Sequence, residues 1–182
     1  MDARPLFWAA SATDGPTVGL SQMLDARDRR VRRQQAALAR FGVPVLSLTM
    51  VMPGPVKDCP AIRTAFAAAR RAVDDLAKES GWRVLLDQDC GGSTGPEALL
   101  AFDADAVVLK RALVALEDGH PMGRLWDLDV LCPAGGAIGR RVIGAPPRRC
   151  LLCGEEAHAC ARSHRHPLPL LLAVLRKMVD GF

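Results

Sequence analysis

A chain of 182 residues that is 49% apolar and 24% charged can build one folded core, and its composition excludes a disordered protein or a membrane-spanning one, since no apolar run approaches the ~18 residues a span needs. A formal net charge of +4 is too small to argue for nucleic acid, and five Phe, three Trp and no Tyr exclude a stacking platform for single-stranded bases. The basic residues are 20 Arg against 4 Lys, and the guanidinium fork suits phosphate and carboxylate.

The opening MDARPLFWAA lacks the basic and long apolar regions of a signal peptide, so the expected compartment is the cytoplasm. Residues 1–16 read as loosely ordered. Residues 20–40 read as a helix with Leu20, Leu24, Val31 and Leu38 on one face and Arg27, Arg30 and Arg33 on the other. Those arginines are either a solvated face or a phosphate site. FGVPVLSLTMVM (41–52) reads as a strand, with Leu46, Leu48 and Met50 on one side and Ser47, Thr49 and Val51 on the other. PGPVKD makes a rigid turn whose Asp58 is expected to cap a helix over 60–79, striped by Ile62, Phe66, Ala69, Val73 and Leu76.

WRVLLDQ is the second strand, GGSTGP a loop and EALLAF the third strand. Asp105 is expected to cap a helix over 106–118. After the turn GHPMG come a fourth strand, RLWDLDVLC, and a candidate fifth, AIGRRVI. The order β-α-β-β-α-β predicts an α+β single domain over 1–182 with a ferredoxin-like, palm-like core at about 41–143 and added terminal helices. Such a core puts helices on one side of an antiparallel sheet and leaves the other side free. Residues 144–182 hold a Cys/His segment and a last helix, LPLLLAVLRKMVDGF.

Two stretches carry chemistry. In GRLWDLDV, alternation puts Asp127 and Asp129 on one strand face and Trp126, Leu128 and Val130 on the other. Same-face neighbours lie roughly 6–7 Å apart. Such carboxylates either face water or converge on a hard cation. In PPRRCLLCGEEAHACARSHRH, Cys150, Cys153 and Cys160 with His166 or His164 make a candidate zinc set; the alternative is reduced Cys packed under a helix. The arginines there, Arg148 and Arg149 among them, serve phosphate or only solvent.

ARDRRVRRQ, PGPVKD, GPE, HPMGRLWDLDVLCP and the Cys/His segment follow one another in an order and spacing that resembles the citrate lyase holo-acyl-carrier-protein synthase family, also called apo-citrate lyase phosphoribosyl-dephospho-CoA transferase. The resemblance covers residues from about 20 to 179. It implies transfer of a phosphoribosyl-dephospho-CoA group from 2'-(5''-triphosphoribosyl)-3'-dephospho-CoA to a serine of the apo acyl carrier subunit of citrate lyase, with loss of pyrophosphate. The resemblance marks these positions as motif members without assigning each task; for that chemistry the expected roles are as follows. Asp127 and Asp129 hold magnesium against the triphosphate. Lys57, Arg124, Arg27 and Arg30 clamp phosphate oxygens, with Arg33, Arg148 and Arg149 in the same phosphate-binding set. His120 takes the serine proton. The family pattern also places Cys150, Cys153, Cys160 and His166 as one set, a possible structural zinc site. Two other readings stand beside it: the equivalent transferase for the malonate decarboxylase carrier, and a non-catalytic zinc module.

Overall fold

A helix can turn arginines inward only if something inside answers them, and the first helix does so. Helix α1 (Leu20–Phe41) buries Ala26 and Ala37 against the sheet and carries Arg30 and Arg33 on that same side. Their partner is Glu97, which is 5% exposed. The expected apolar face is largely lost as a result: Leu20, Leu24 and Val31 are exposed, and of the four Leu38 alone packs inward. Two buried ion pairs and small Ala contacts outweigh three larger apolar side chains in setting the rotation of the helix. Gly42 ends α1 in a left-handed conformation (φ 64°), its N–H donating to the Leu38 carbonyl. The computed structural model describes residues 13–181, so the readings of residues 1–12 lie outside the described residues.

Five strands, β1 (Val45–Met50), β2 (Arg83–Asp89), β3 (Ala98–Asp103), β4 (Trp126–Cys132) and β5 (Gly136–Ile138), form one antiparallel sheet in the order β2-β3-β1-β4-β5. The architecture is α+β. Helices α2 (Pro60–Glu79) and α3 (Ala106–Gly119) cover one face. There Leu46, Leu48, Phe102, Trp126, Leu128 and Val130 meet Ile62, Leu109 and Leu113. The inner side of α2 is mostly alanine, Ala61, Ala65, Ala68, Ala69 and Ala77, which lets its backbone come close to the sheet. Trp126 uses that closeness: its indole N–H donates to the Ala65 carbonyl at 3.0 Å. A short helix α4 (Ala157–Arg162) and a last helix α5 (Leu168–Asp180) follow, and α5 buries Leu175 in the same core.

Three local expectations are corrected. The second sheet face is not free, because α1 packs Ala37, Leu38 and Phe41 over Val45, Leu99 and Ala101. Asp58 does not cap α2; it forms a two-pronged bond to Arg63 (2.7 Å for each oxygen), and Cys59 stands at the cap position without a side-chain bond. A guanidinium fork within reach outcompetes a lone backbone N–H. The fifth strand stops at Ile138, and Arg140–Ile143 coil into a 3-10 turn instead. Arg140 is drawn there by Glu117 and Asp118. The Asp105 cap is present, its carboxylate accepting from the N–H groups of Val107 and Val108 at 2.9 Å.

Candidate functional site

Pairing register fixes what stands beside the two carboxylates. Across from Asp127 on β1 is Thr49, and across from Asp129 is Ser47. The face they share is the one α1 partly covers. Thr49 Oγ1 lies 3.5 Å from Asp127 Oδ2. Thr49 also lines a cavity of about 140 Å³ with Arg30, Lys57, Gly95 and Glu97. Thr49, near the end of β1, thus stands between Asp127 and the cavity that the cations line.

The cationic wall is rigidly built. Arg30 Nη2 donates to Glu97 Oε1 and Arg33 Nη2 to Glu97 Oε2, both at 2.6 Å. Arg30 Nε is buried with no hydrogen-bond partner among the described residues. A buried donor left this way favours an acceptor arriving from outside. Lys57 Nζ donates to the Met52 carbonyl at 2.6 Å, and burial lowers its pKa from the ordinary lysine value. Gly95 holds the loop against Lys57: its φ is +107°, and a Cβ there would stand 3.1 Å from the Lys57 carbonyl oxygen.

The carboxylates repel one another. Although the Asp129 side chain reaches the surface, the surrounding protein strips much of its hydration. That desolvation, then the Asp127 charge, raises its pKa above the ordinary carboxyl value. A divalent cation between them would relieve both effects. The donor set is two hard oxygens, with Thr49 and Ser47 hydroxyls adjacent, which suits magnesium.

Other predicted residues sit elsewhere. His120 packs on Trp126 with ring centroids 4.2 Å apart, and Trp126 points to the α2/α3 side. The structure therefore does not bring His120 to the carboxylates. Its Nδ1 accepts the Met122 N–H at 3.0 Å, and burial, with the Arg71 charge, lowers its pKa. Arg124 donates to the Arg149 carbonyl, and its charged surroundings are Arg148, Asp118, Cys150 and Arg140. Arg148 donates to the Trp126 carbonyl and pairs with Glu117 at 2.6 Å, while Arg149 donates to the Gly154 carbonyl. Arg27 is exposed.

The Arg148 and Glu117 contacts belong to a network the sequence did not reveal. Strand β5 pairs only with Val130, Leu131 and Cys132, so the outer edge of β4 before it lacks a strand. Side chains close it. Glu117 accepts the Leu128 N–H at 2.9 Å, Lys110 donates to the Leu128 carbonyl at 2.8 Å, and Arg148 takes the Trp126 carbonyl. Lys110 and Glu117 are 4% and 3% exposed. Gly123 lets the chain pass under α3, since a Cβ there would lie 2.2 Å from the Glu117 carbonyl oxygen. A charged residue at an apolar helix position was the available signal for Lys110 and Glu117. For Glu97 the signal was an acid just after a glycine loop, in a chain with an arginine helix.

The second candidate centre closes well. Ligand atoms of Cys150, Cys153, Cys160 and His166 all lie within 4.8 Å of one another. Cys153 Sγ is 3.6 Å from Cys160 Sγ and 3.3 Å from His166 Nε2. A tetrahedral zinc with ordinary bond lengths has S–S edges of roughly 3.8 Å and S–N edges of about 3.6 Å. His164, in a left-handed conformation (φ 47°), turns the chain so that His166 and not His164 returns to the sulfurs. Burial and the neighbouring Cys153 and Cys150 push the Cys160 thiol up to about 11, a crowding that a soft dication removes by holding the sulfurs as thiolates.

Among the described residues no helix is long and apolar enough to cross a membrane. A family model described as apo-citrate lyase phosphoribosyl-dephospho-CoA transferase matches residues 18–182. A curated protein of that name from Escherichia coli O9:H4 (strain HS) is 44% identical over 163 residues, 90% of this chain and 89% of the relative. The relative of the same name from Escherichia coli O1:K1 / APEC matches with the same identity and coverage.

Proposed function

The chain belongs to the apo-citrate lyase phosphoribosyl-dephospho-CoA transferase family, and on that premise we propose how its residues carry out the transfer. The donor is 2'-(5''-triphosphoribosyl)-3'-dephospho-CoA and the acceptor a serine hydroxyl of the apo acyl carrier subunit of citrate lyase. The serine oxygen bonds to the phosphorus next to the ribose, the bond to pyrophosphate breaks, and the carrier gains the phosphoribosyl-dephospho-CoA group. The reaction takes place in the cytoplasm.

The observation that carries this reading is the junction of Asp127 with the cavity of Arg30, Lys57 and Glu97 through Thr49. Asp127 and Asp129 would hold magnesium, which when bound neutralises charge on phosphate oxygens. Arg30 and Lys57 bind the triphosphate and hold it with its leaving end against the cationic wall, where negative charge builds. Glu97 fixes the two guanidiniums, so little reorganisation is needed as the bond breaks. Removing the serine proton falls to the carboxylate face, because His120 lies on the other side of the sheet. Arg124, Arg148 and Arg149 act at a distance from the phosphate: they seat β4 and the Cys/His segment. Cys150, Cys153, Cys160 and His166 would hold a structural zinc ion.

The test is transfer itself. Apo carrier incubated with the donor and magnesium should gain one prosthetic group by mass spectrometry. Asp127→Asn should slow that gain by roughly a hundredfold or more. A carrier that gains mass at the unmodified rate with this variant would remove Asp127 from the chemistry.

A further inference from the structure

Glu97 lines two cavities, and Thr49, the neighbour of Asp127, lines one of them. The other, of about 150 Å³, lies between α1 and the loop that precedes Glu97. Arg29 and Arg33, one helical turn apart, form one wall; Gly92, Ser93 and Thr94 form the other. Gly92 and Gly95 close the loop on itself, each N–H donating to the other's carbonyl at 3.3 and 3.0 Å. A Cβ at Gly92 would meet nothing within 4 Å, so that side of the loop is open to a guest.

The charge is unbalanced. Across both cavities Arg29, Arg30, Arg33 and Lys57 face the single carboxylate of Glu97. Arg29 makes no ion pair among the described residues and is exposed at the rim. Each guanidinium offers five donors, and the contacts to Glu97 use one nitrogen each of Arg30 and Arg33. Thr94 and Glu97 line both cavities, so the two are contiguous.

We propose that this second cavity is a diphosphate subsite, and that it receives the 5'-diphosphate of the donor's dephospho-CoA half. The inference rests on the proposed function, which supplies a donor with two phosphate-rich arms: the triphosphate that reacts, and the diphosphate that joins adenosine to pantetheine. The triphosphate lies on the Thr49 side of Glu97. The unreactive diphosphate lies on the Arg29 side, bound by Arg29, Arg33 and the Ser93 and Thr94 hydroxyls. Binding there costs no reactivity and fixes where the ribose sits relative to Asp127.

Titration calorimetry with two probes on the full chain tests this: dephospho-CoA, and tripolyphosphate with magnesium. Circular dichroism should show Arg29→Ala folded, since its side chain makes no ion pair among the described residues. Arg29→Ala is expected to weaken dephospho-CoA roughly tenfold and to leave tripolyphosphate within about twofold, as loss of a charge-assisted contact at one subsite requires. Asp127→Asn is expected to do the reverse. Unchanged dephospho-CoA affinity in Arg29→Ala, or equal weakening of both probes, overturns the subsite. Tripolyphosphate binding that ignores Asp127 while dephospho-CoA still depends on Arg29 overturns the assignment of the reacting site and leaves the subsite standing.

Discussion

Asp129 carries a definite pH signature. Its pKa is raised in the folded chain, by desolvation first and by Asp127 second. Above the folded pKa the ionised carboxylate therefore opposes folding; below the unfolded pKa, near 3.9, both states are protonated and the penalty vanishes. Asp129→Asn should melt at a higher temperature than the parent at pH 8 without divalent ions, and the gain should fade as the pH falls toward 4. Thermal melts across that range check it, and a pH-independent difference would show that the carboxyl is not perturbed. Strand alternation made the pairing of Asp127 and Asp129 readable in the sequence. The residues opposite them were not, because Thr49 and Ser47 arrive through strand register, which no local spacing encodes.

At the scale of elements, β4 is held by its neighbours more than by its own residues. One side pairs with β1, and the other is closed by Lys110, Glu117 and Arg148. Removing one member of a buried charged set leaves the others without compensation. Glu117→Ala should lose about 3–5 kcal/mol in urea unfolding, as the Leu128 N–H loses its side-chain acceptor and Arg140 and Arg148 each lose one of theirs, Asp118 and the Trp126 carbonyl remaining. A loss under about 1 kcal/mol would mean that water replaces the carboxylate freely.

The Cys/His segment is joined to the same strand, since Arg124 reaches the Arg149 carbonyl and Arg148 the Trp126 carbonyl. Chelating metal from protein prepared without a His-tag should therefore open the segment around Cys150–His166 to proteases first, at Arg162 and Arg165, before the sheet unfolds. Unchanged cleavage after complete metal removal would show that the segment folds without the ion. The spacing of three cysteines was legible but left His164 and His166 open; the family resemblance chose His166, and the left-handed turn at His164 is how the chain brings it to the sulfurs.

On the scale of the whole molecule, the two sheet faces divide the labour. One face, under α2 and α3, is the apolar core with Trp126 at its centre; the other, partly under α1, holds the carboxylates and the arginines. Element order and most helix stripes were legible because they depend on periodicities of a few residues. The rotation of α1 was not, since a buried acid 64 residues from Arg33 decides it. His120 shows the same limit: close in sequence to the acids, it is separated from them by the thickness of a sheet.

The side chains that close β4 also govern how this protein behaves in company. A strand edge with free N–H and carbonyl groups is a template on which another chain can nucleate. Here the Trp126–Leu128 edge is already engaged by Lys110, Glu117 and Arg148. At the far rim, β2 carries a bulge between Val84 and Leu86 and the charges of Arg83, Asp87 and Asp89. Both of these edges thus discourage sheet-to-sheet growth between molecules, and on the β4 side the guard is the same charged set that seats the strand.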